Sequence, residues 1–210
     1  LKYHAVQNPA ENDSITAGDL PVTVETLLGD ETVEITADMV AQANIPATNG
    51  SIHKLNTPLL PPTALVDFTD RTVADTSLSG PYTNSAGEEV PEDTLFVDGS
   101  YIPEDGGFIV LHDQGEFQSP TGGPVESTVG VSGYIDGPVV SNNVAVPLDE
   151  EISSDVTLIA MPHKDSNDNQ EYDFADSGGN LTGEDQPYEL AGEGTVTDPA
   201  VITVEDTDSN

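Results

Sequence analysis

The chain has 210 residues, with 39 Asp and Glu against 4 Lys and Arg, a formal net charge of −35. A surface this acidic excludes nucleic acid as a partner, because phosphate binding depends on Lys and Arg, and zero Cys excludes a disulfide framework or a thiolate metal site. Self-repulsion of this size loosens a compact state in dilute buffer and is screened at molar salt, where the Debye length falls to about 3 Å, so a high-salt setting is expected.

An acidic disordered chain is the competing reading of such a composition. Against it, the apolar residues sit in short alternating runs separated by Gly, Pro, Asn and Asp, which is the pattern of strands and turns. Leu1–Val6 alternates, with Leu1, Tyr3 and Ala5 on one face. Asp19–Gly29 is expected to hold a short helical turn ending at Gly29. Thr32–Thr36 reads as a strand. Asn44–Ala47 and Ser51–Leu55 flank Thr48-Asn49-Gly50, an Asn-Gly hairpin signal. Pro58, Pro61 and Pro62 then stop regular structure. A boundary near Thr63–Asp67 gives domains over residues 1–64 and 65–210.

The strands expected in the second domain are Ala64–Phe68, Thr94–Ser100, Gly107–His112, Ser127–Val131, Asn143–Pro147, Val156–Met161 and Ala200–Val204. Turn-rich segments such as Pro103–Gly107 and Pro120–Pro124 separate them. The expected fold class is mainly β, with an antiparallel β-sandwich in the second domain. No apolar run approaches the roughly 18 residues of a membrane helix. No signal peptide is visible and the chain begins at Leu1, so it reads as a mature product or a fragment.

Two stretches carry family resemblances. Asn49–Pro62 (NGSIHKLNTPLLPP), with Tyr3-His4 in LKYHAV, resembles the C-terminal half of a fasciclin-like domain over roughly Leu1–Pro62. That resemblance implies a partial β-sandwich and work in adhesion and extracellular matrix. It also gives His4 and His53 a buried, hydrogen-bonded structural role. The first half of such a domain is expected upstream of Leu1 or from another subunit, which would cover Leu1, Tyr3, Ile35, Ile52, Leu55, Leu59 and Leu60. Gly107–Asp113 (GFIVLHD), Thr157–His163 (TLIAMPH) and Asp165–Phe174 resemble a β-rich domain of unknown function common in secreted haloarchaeal proteins. This covers most of Asp67–Glu205 and implies no known activity.

The residues themselves offer few chemical sites. In Asp165–Asp173 (DSNDNQEYD) oxygen side chains fall at alternate positions, as in loops that wrap a hard cation. Ca²⁺ takes 6–8 oxygen ligands of mixed kind. The expected calcium ligands are Asp165, Asn167, Asn169 and Asp173, with the backbone carbonyl of Glu171. The pattern departs from an EF-hand, with Gln170 in place of its Gly and Asp176 at its twelfth position. The competing reading is one more hydrophilic loop. His112-Asp113 and His163 each end an apolar strand and are placed to pair at one end of the sandwich. A transition-metal site needs two or three such His to converge.

No Ser lies in a Gly-x-Ser-x-Gly elbow, and no carboxylate pair stands out among 39 acids. The chain is therefore expected not to be an enzyme. Asn12-Asp-Ser14 and Asn180-Leu-Thr182 are candidate glycosylation sites, with Asn49-Gly-Ser51 disfavoured by its tight turn. The functional expectation is a non-enzymatic surface protein for adhesion or structural assembly, plausible as a filament or sheath subunit. Its partners would be copies of itself or other surface proteins, with the strand Ala200–Val204 as a donor between subunits. The alternative is a Ca²⁺-dependent glycan-binding module that uses Tyr134, Tyr172 and Tyr188.

Overall fold

The computed structural model describes residues 18, 20–25, 32–48, 50–56, 59, 61, 63–74, 82–83, 89–90, 93–174, 184–190 and 192–205. Tyr3, His4, Asn12, Asn49, Leu60, Asp176 and Asn180, named above, lie outside them, as does the turn end at Gly29. The chain divides into two compact units, Leu1–Pro62 with Leu190–Gly194, and Thr63–Glu189 with Thr195–Asn210.

The first unit holds two antiparallel pairs. β1 (Val22–Glu25) runs against β2 (Thr32–Ile35), with Val22 opposite Ile35. Within the Asp19–Gly29 stretch, expected to hold a helical turn ending at Gly29, residues 26–29 lie outside the described residues and Val22–Glu25 is a strand. Its residues alternate Val with Thr and Glu, and a β-branched alternation suits a half-buried pleat better than a helix. Val33 is buried, with Val22, Ile35 and Leu59 packed on it. β3 (Val40–Ala47) and β4 (Gly50–Leu55) form the expected hairpin, with Ala47 opposite Gly50. His53 is half-buried on β4 rather than buried, and Ile52 is 55% exposed.

The second unit holds β5 (Leu65–Asp67), β6 (Arg71–Ala74), the short β7 (Tyr82–Thr83) and β8 (Glu89–Val90), β9 (Thr94–Ile102) and β10 (Gly107–Asp113). A single helical turn, α1 (Gln114–Phe117), follows. Then come β11 (Thr128–Val131), β12 (Val139–Pro147), β13 (Val156–Lys164) and β16 (Asp198–Glu205), while the short β14 (Glu189–Leu190) and β15 (Gly194–Thr195) fall at the limits of the two units along the chain. One sheet has the order β11-β10-β13-β16-β6 and another β12-β9-β5. Every strand expected here from the alternation is present, most of them longer than expected. The antiparallel rule has one exception, since β16 pairs parallel with β6, Ile202 beside Arg71.

The two sheets enclose one core. Leu95, Val97 and Val146 come from the three-stranded sheet, and Ile109, Leu111, Leu158, Ala160, Ala200 and Ile202 from the five-stranded one. Burying each of the Val, Leu and Ile side chains among them stabilises the fold by roughly 1.5–3 kcal/mol. Arg71, the chain's one arginine, ties the sheets at their edge. From β6 its guanidinium reaches Asp98 Oδ2 at 2.5 Å and the Phe96 carbonyl, both on β9, and it lies 5.0 Å from the Phe68 ring. Asp98 stays below the usual carboxylate range despite its burial, because Thr69 donates to it and Arg71 stands beside it.

Ala200–Val204 lies inside this sheet, between β13 and β6, with Ala200 and Ile202 buried. The expectation of a strand free to cross between subunits is therefore overturned. Its alternating apolar face is filled by its own domain.

Candidate functional site

β10 and β13 are buried on both faces, which is why GFIVLH and TLIAMPH read as nearly continuous apolar runs. Their antiparallel register sets His112 opposite Ile159, Val110 opposite Met161 and Phe108 opposite His163. Alternation puts these six side chains on one face, while Ile109, Leu111, Leu158 and Ala160 point the other way into the sandwich core. The outer face is thus a second buried layer. All six of its side chains are at most 7% exposed. Phe117 from α1 and Tyr172 and Phe174 from the segment after β13 pack on it.

Two histidines meet in this layer. The His112 and His163 ring centroids are 5.9 Å apart, and neither side chain has any exposure. They were expected to pair at one end of the sandwich, but the antiparallel register sets them toward opposite ends of β10–β13, His112 across from Ile159 and His163 across from Phe108, and the rings meet between those rows. His163 Nδ1 is 2.7 Å from the Asp185 carbonyl oxygen, and His112 Nδ1 is 3.1 Å from Ser127 Oγ. The Nε2 atoms of both, and the Tyr172 hydroxyl, are buried without a hydrogen bond of normal geometry, although the Thr128 side chain stands beside that hydroxyl. Burial pulls His112 down to about 4 and His163 down to about 3, against the smaller opposing pull of the carbonyls beside them. Burial likewise raises the Tyr172 phenol.

The acidic loop after β13 is built from side-chain caps. Asp165 is 3% exposed, and its two oxygens accept from the amides of Asn169 (3.1 Å) and Gln170 (2.9 Å). Asn167 Oδ1 accepts from Asn169 N, and Asn169 Oδ1 from Glu171 N. Asp173 Oδ2 accepts from the side-chain amides of Asn167 and Asn169, which hold its carboxyl below the usual range. Asp168 and Gln170 take positive φ, 57° and 62°, to make the turns. Asp165, Asn167, Asn169 and Asp173 are therefore brought together, with their oxygens turned to N–H groups of the loop. Among the described residues no group of three His, Asp or Glu side chains converges as a metal ligand set.

Asp185 is the residue the sequence reading missed. Fully buried, it accepts from Ser166 N (3.0 Å) and Asp173 N (2.6 Å), and burial raises its carboxyl. Its own carbonyl holds His163, so one residue ties the loop to the histidine layer. Nothing local in GEDQP marks this, because its partners lie 12 to 22 residues away. Of the aromatics named for glycan stacking, Tyr188 is 3% exposed and donates to the Gly106 carbonyl at 2.7 Å, and Tyr172 packs edge-on against His163. Gly107 closes the strand start, where φ is +150° and a Cβ would collide with the His163 carbonyl.

No helix among the described residues is long and apolar enough to cross a membrane. No solved structure matches the chain. Cell surface glycoprotein 1 of Haloarcula hispanica is 36% identical over 110 residues, which is 52% of this chain and 10% of that protein. Cell surface glycoprotein 2 of the same organism is 37% identical over 99 residues, 47% of this chain and 9% of that protein. The chain thus matches about a tenth of the length of each relative, and the extracellular or cell-surface location expected from its sequence agrees with theirs. Residues 81–203, more than half of the chain and most of the second unit from β7 onward, match the family described as Domain of unknown function (DUF7282), and the chain belongs to that family.

Proposed function

We propose that this chain is a structural module of a haloarchaeal cell-surface protein, working through protein surfaces in adhesion or assembly and not through catalysis. The observation that carries this reading is its likeness to a stretch of two cell surface glycoproteins. The architecture supports it. Buried carboxylates of the DUF7282 region are used to cap the fold, as Asp165 and Asp185 illustrate. In this reading the fasciclin-like resemblance of Leu1–Pro62 gives the first unit an adhesive part. The family match, over residues 81–203, does not speak to it.

The test is assembly in the solvent the charge demands. Purified chain in multimolar KCl is followed by light scattering and negative-stain electron microscopy. Ordered oligomers, sheets or filaments are expected. A monodisperse monomer at milligram concentrations, with no binding to envelopes of haloarchaeal cells, would overturn the proposal.

A further inference from the structure

The tautomer of each buried imidazole follows from what its Nδ1 faces. His163 Nδ1 faces a carbonyl oxygen, an obligate acceptor, so Nδ1 carries the proton and Nε2 the lone pair. Ser127 Oγ donates to the Pro124 carbonyl at 3.2 Å, which leaves its oxygen to accept from His112 Nδ1. His112 Nε2 is then also a bare lone pair. Two neighbouring acceptors, both fully buried and both without a donor, are uncommon, since buried polar side-chain atoms are nearly always satisfied. This anchoring of one ring nitrogen by a carbonyl or hydroxyl is the arrangement that orients histidines as metal ligands.

A third donor atom stands in the same layer. Met161, 2% exposed, is two residues from His163 on β13 and one register step from His112, on the same sheet face. No carboxylate shares that face, and the chain has no Cys. Imidazole with thioether selects soft copper(I) over the hard cations that carboxylate oxygens bind. A net charge of −35 favours any cation over an anion. Phe117, Tyr172 and Phe174 close the layer with apolar edges.

We propose that His112 Nε2, His163 Nε2 and the Met161 thioether form a buried site for copper(I). Binding displaces no proton, since both Nε2 atoms already present lone pairs. It satisfies two buried acceptors at once. Entry requires the Phe117 turn or the Tyr172–Phe174 segment to open, so uptake is slow compared with a surface site.

The test uses the full 210-residue chain, anaerobically in molar sodium sulfate with ascorbate, competing for copper(I) with a chromophoric chelator. The wild-type chain is expected to withdraw one equivalent and to melt at a higher temperature when loaded. X-ray absorption at the copper edge should show nitrogen and sulfur scatterers. Met161→Leu preserves volume and folding and should weaken affinity at least tenfold. His112→Phe and His163→Phe, checked for folding by circular dichroism, should abolish uptake. If the wild type leaves all copper with the chelator, or if Met161→Leu binds as tightly with no loss of the sulfur signal, the proposal is wrong. Uptake of zinc(II) at these residues with none of copper(I) also overturns it.

Discussion

His112 and His163 set a pH limit on the molecule. Each is neutral in the fold, pulled down to about 4 and about 3, whereas an unfolded chain protonates its imidazoles near 6.5. Between those values the unfolded state binds more protons, so stability falls as pH drops through that window. Asp185, raised by burial, works in the opposite sense. At about 1.4 kcal/mol per unit of separation, the pair should cost the metal-free protein roughly 3–5 kcal/mol by pH 4.5. Melting curves in molar salt from pH 7.5 to 4 should show that loss, and the double variant His112→Phe/His163→Phe should flatten it. An equal acid slope in both proteins would show that carboxylates elsewhere control the transition. Both histidines were visible in the sequence as residues ending apolar strands. The roles of Ser127 and Asp185 were not, because a cap of this kind is made by chain segments that only tertiary folding brings together.

The loop from Asp165 to Phe174 shows how one alternation of oxygens supports two different structures. A ring of Asp and Asn side chains can turn inward to a cation or back onto its own backbone. Here Asp165 caps two amides and Asp185 another two. Asp165→Ala is therefore expected to cost about 1–3 kcal/mol through stranded buried donors. Exposed Asp168→Ala should change little. The loss should be the same in excess CaCl₂ and in EDTA. A calcium-dependent melting temperature that vanishes in Asp165→Ala would instead establish ligation. The longer strands were legible from period-two alternation, as in TLFVDGSYI and DPAVITVE. β6 was not, because RTVA is short and charged, and what makes it a strand is a partner far along the chain. Val22–Glu25, inside the Asp19–Gly29 stretch, was not legible as a strand for a related reason. VTVE pairs with TVEI, and the pairing decides.

At the scale of the whole molecule, charge and topology act separately. The −35 net charge says little about which strands pair and much about the solvent in which they do. Circular dichroism should show cooperative melting in 2–4 M KCl, with the melting temperature falling steeply on dilution below about 0.2 M as the Debye length grows past roughly 7 Å. A melting temperature independent of salt would remove electrostatics from the account of stability. Mainly-β architecture was readable from composition and turns, and the likeness of the GFIVLHD and TLIAMPH stretches to a haloarchaeal family agrees with the match over residues 81–203. The parallel closure was not readable, since antiparallel neighbours are the default for short connections. That closure fixes an order of events. β16 inserts between β13 and β6, and Val201 N donates to Asp70 across 131 residues of intervening chain. The β9–β12 and β10–β13 pairs can form as soon as their own residues exist, but β6 has no neighbour in its sheet until residues 198–205 arrive. Closing so long a loop is slow compared with forming hairpins. The nascent domain therefore stays open at this edge of its sheet until residues 198–205 are made, and closure of the five-stranded sheet is its last step.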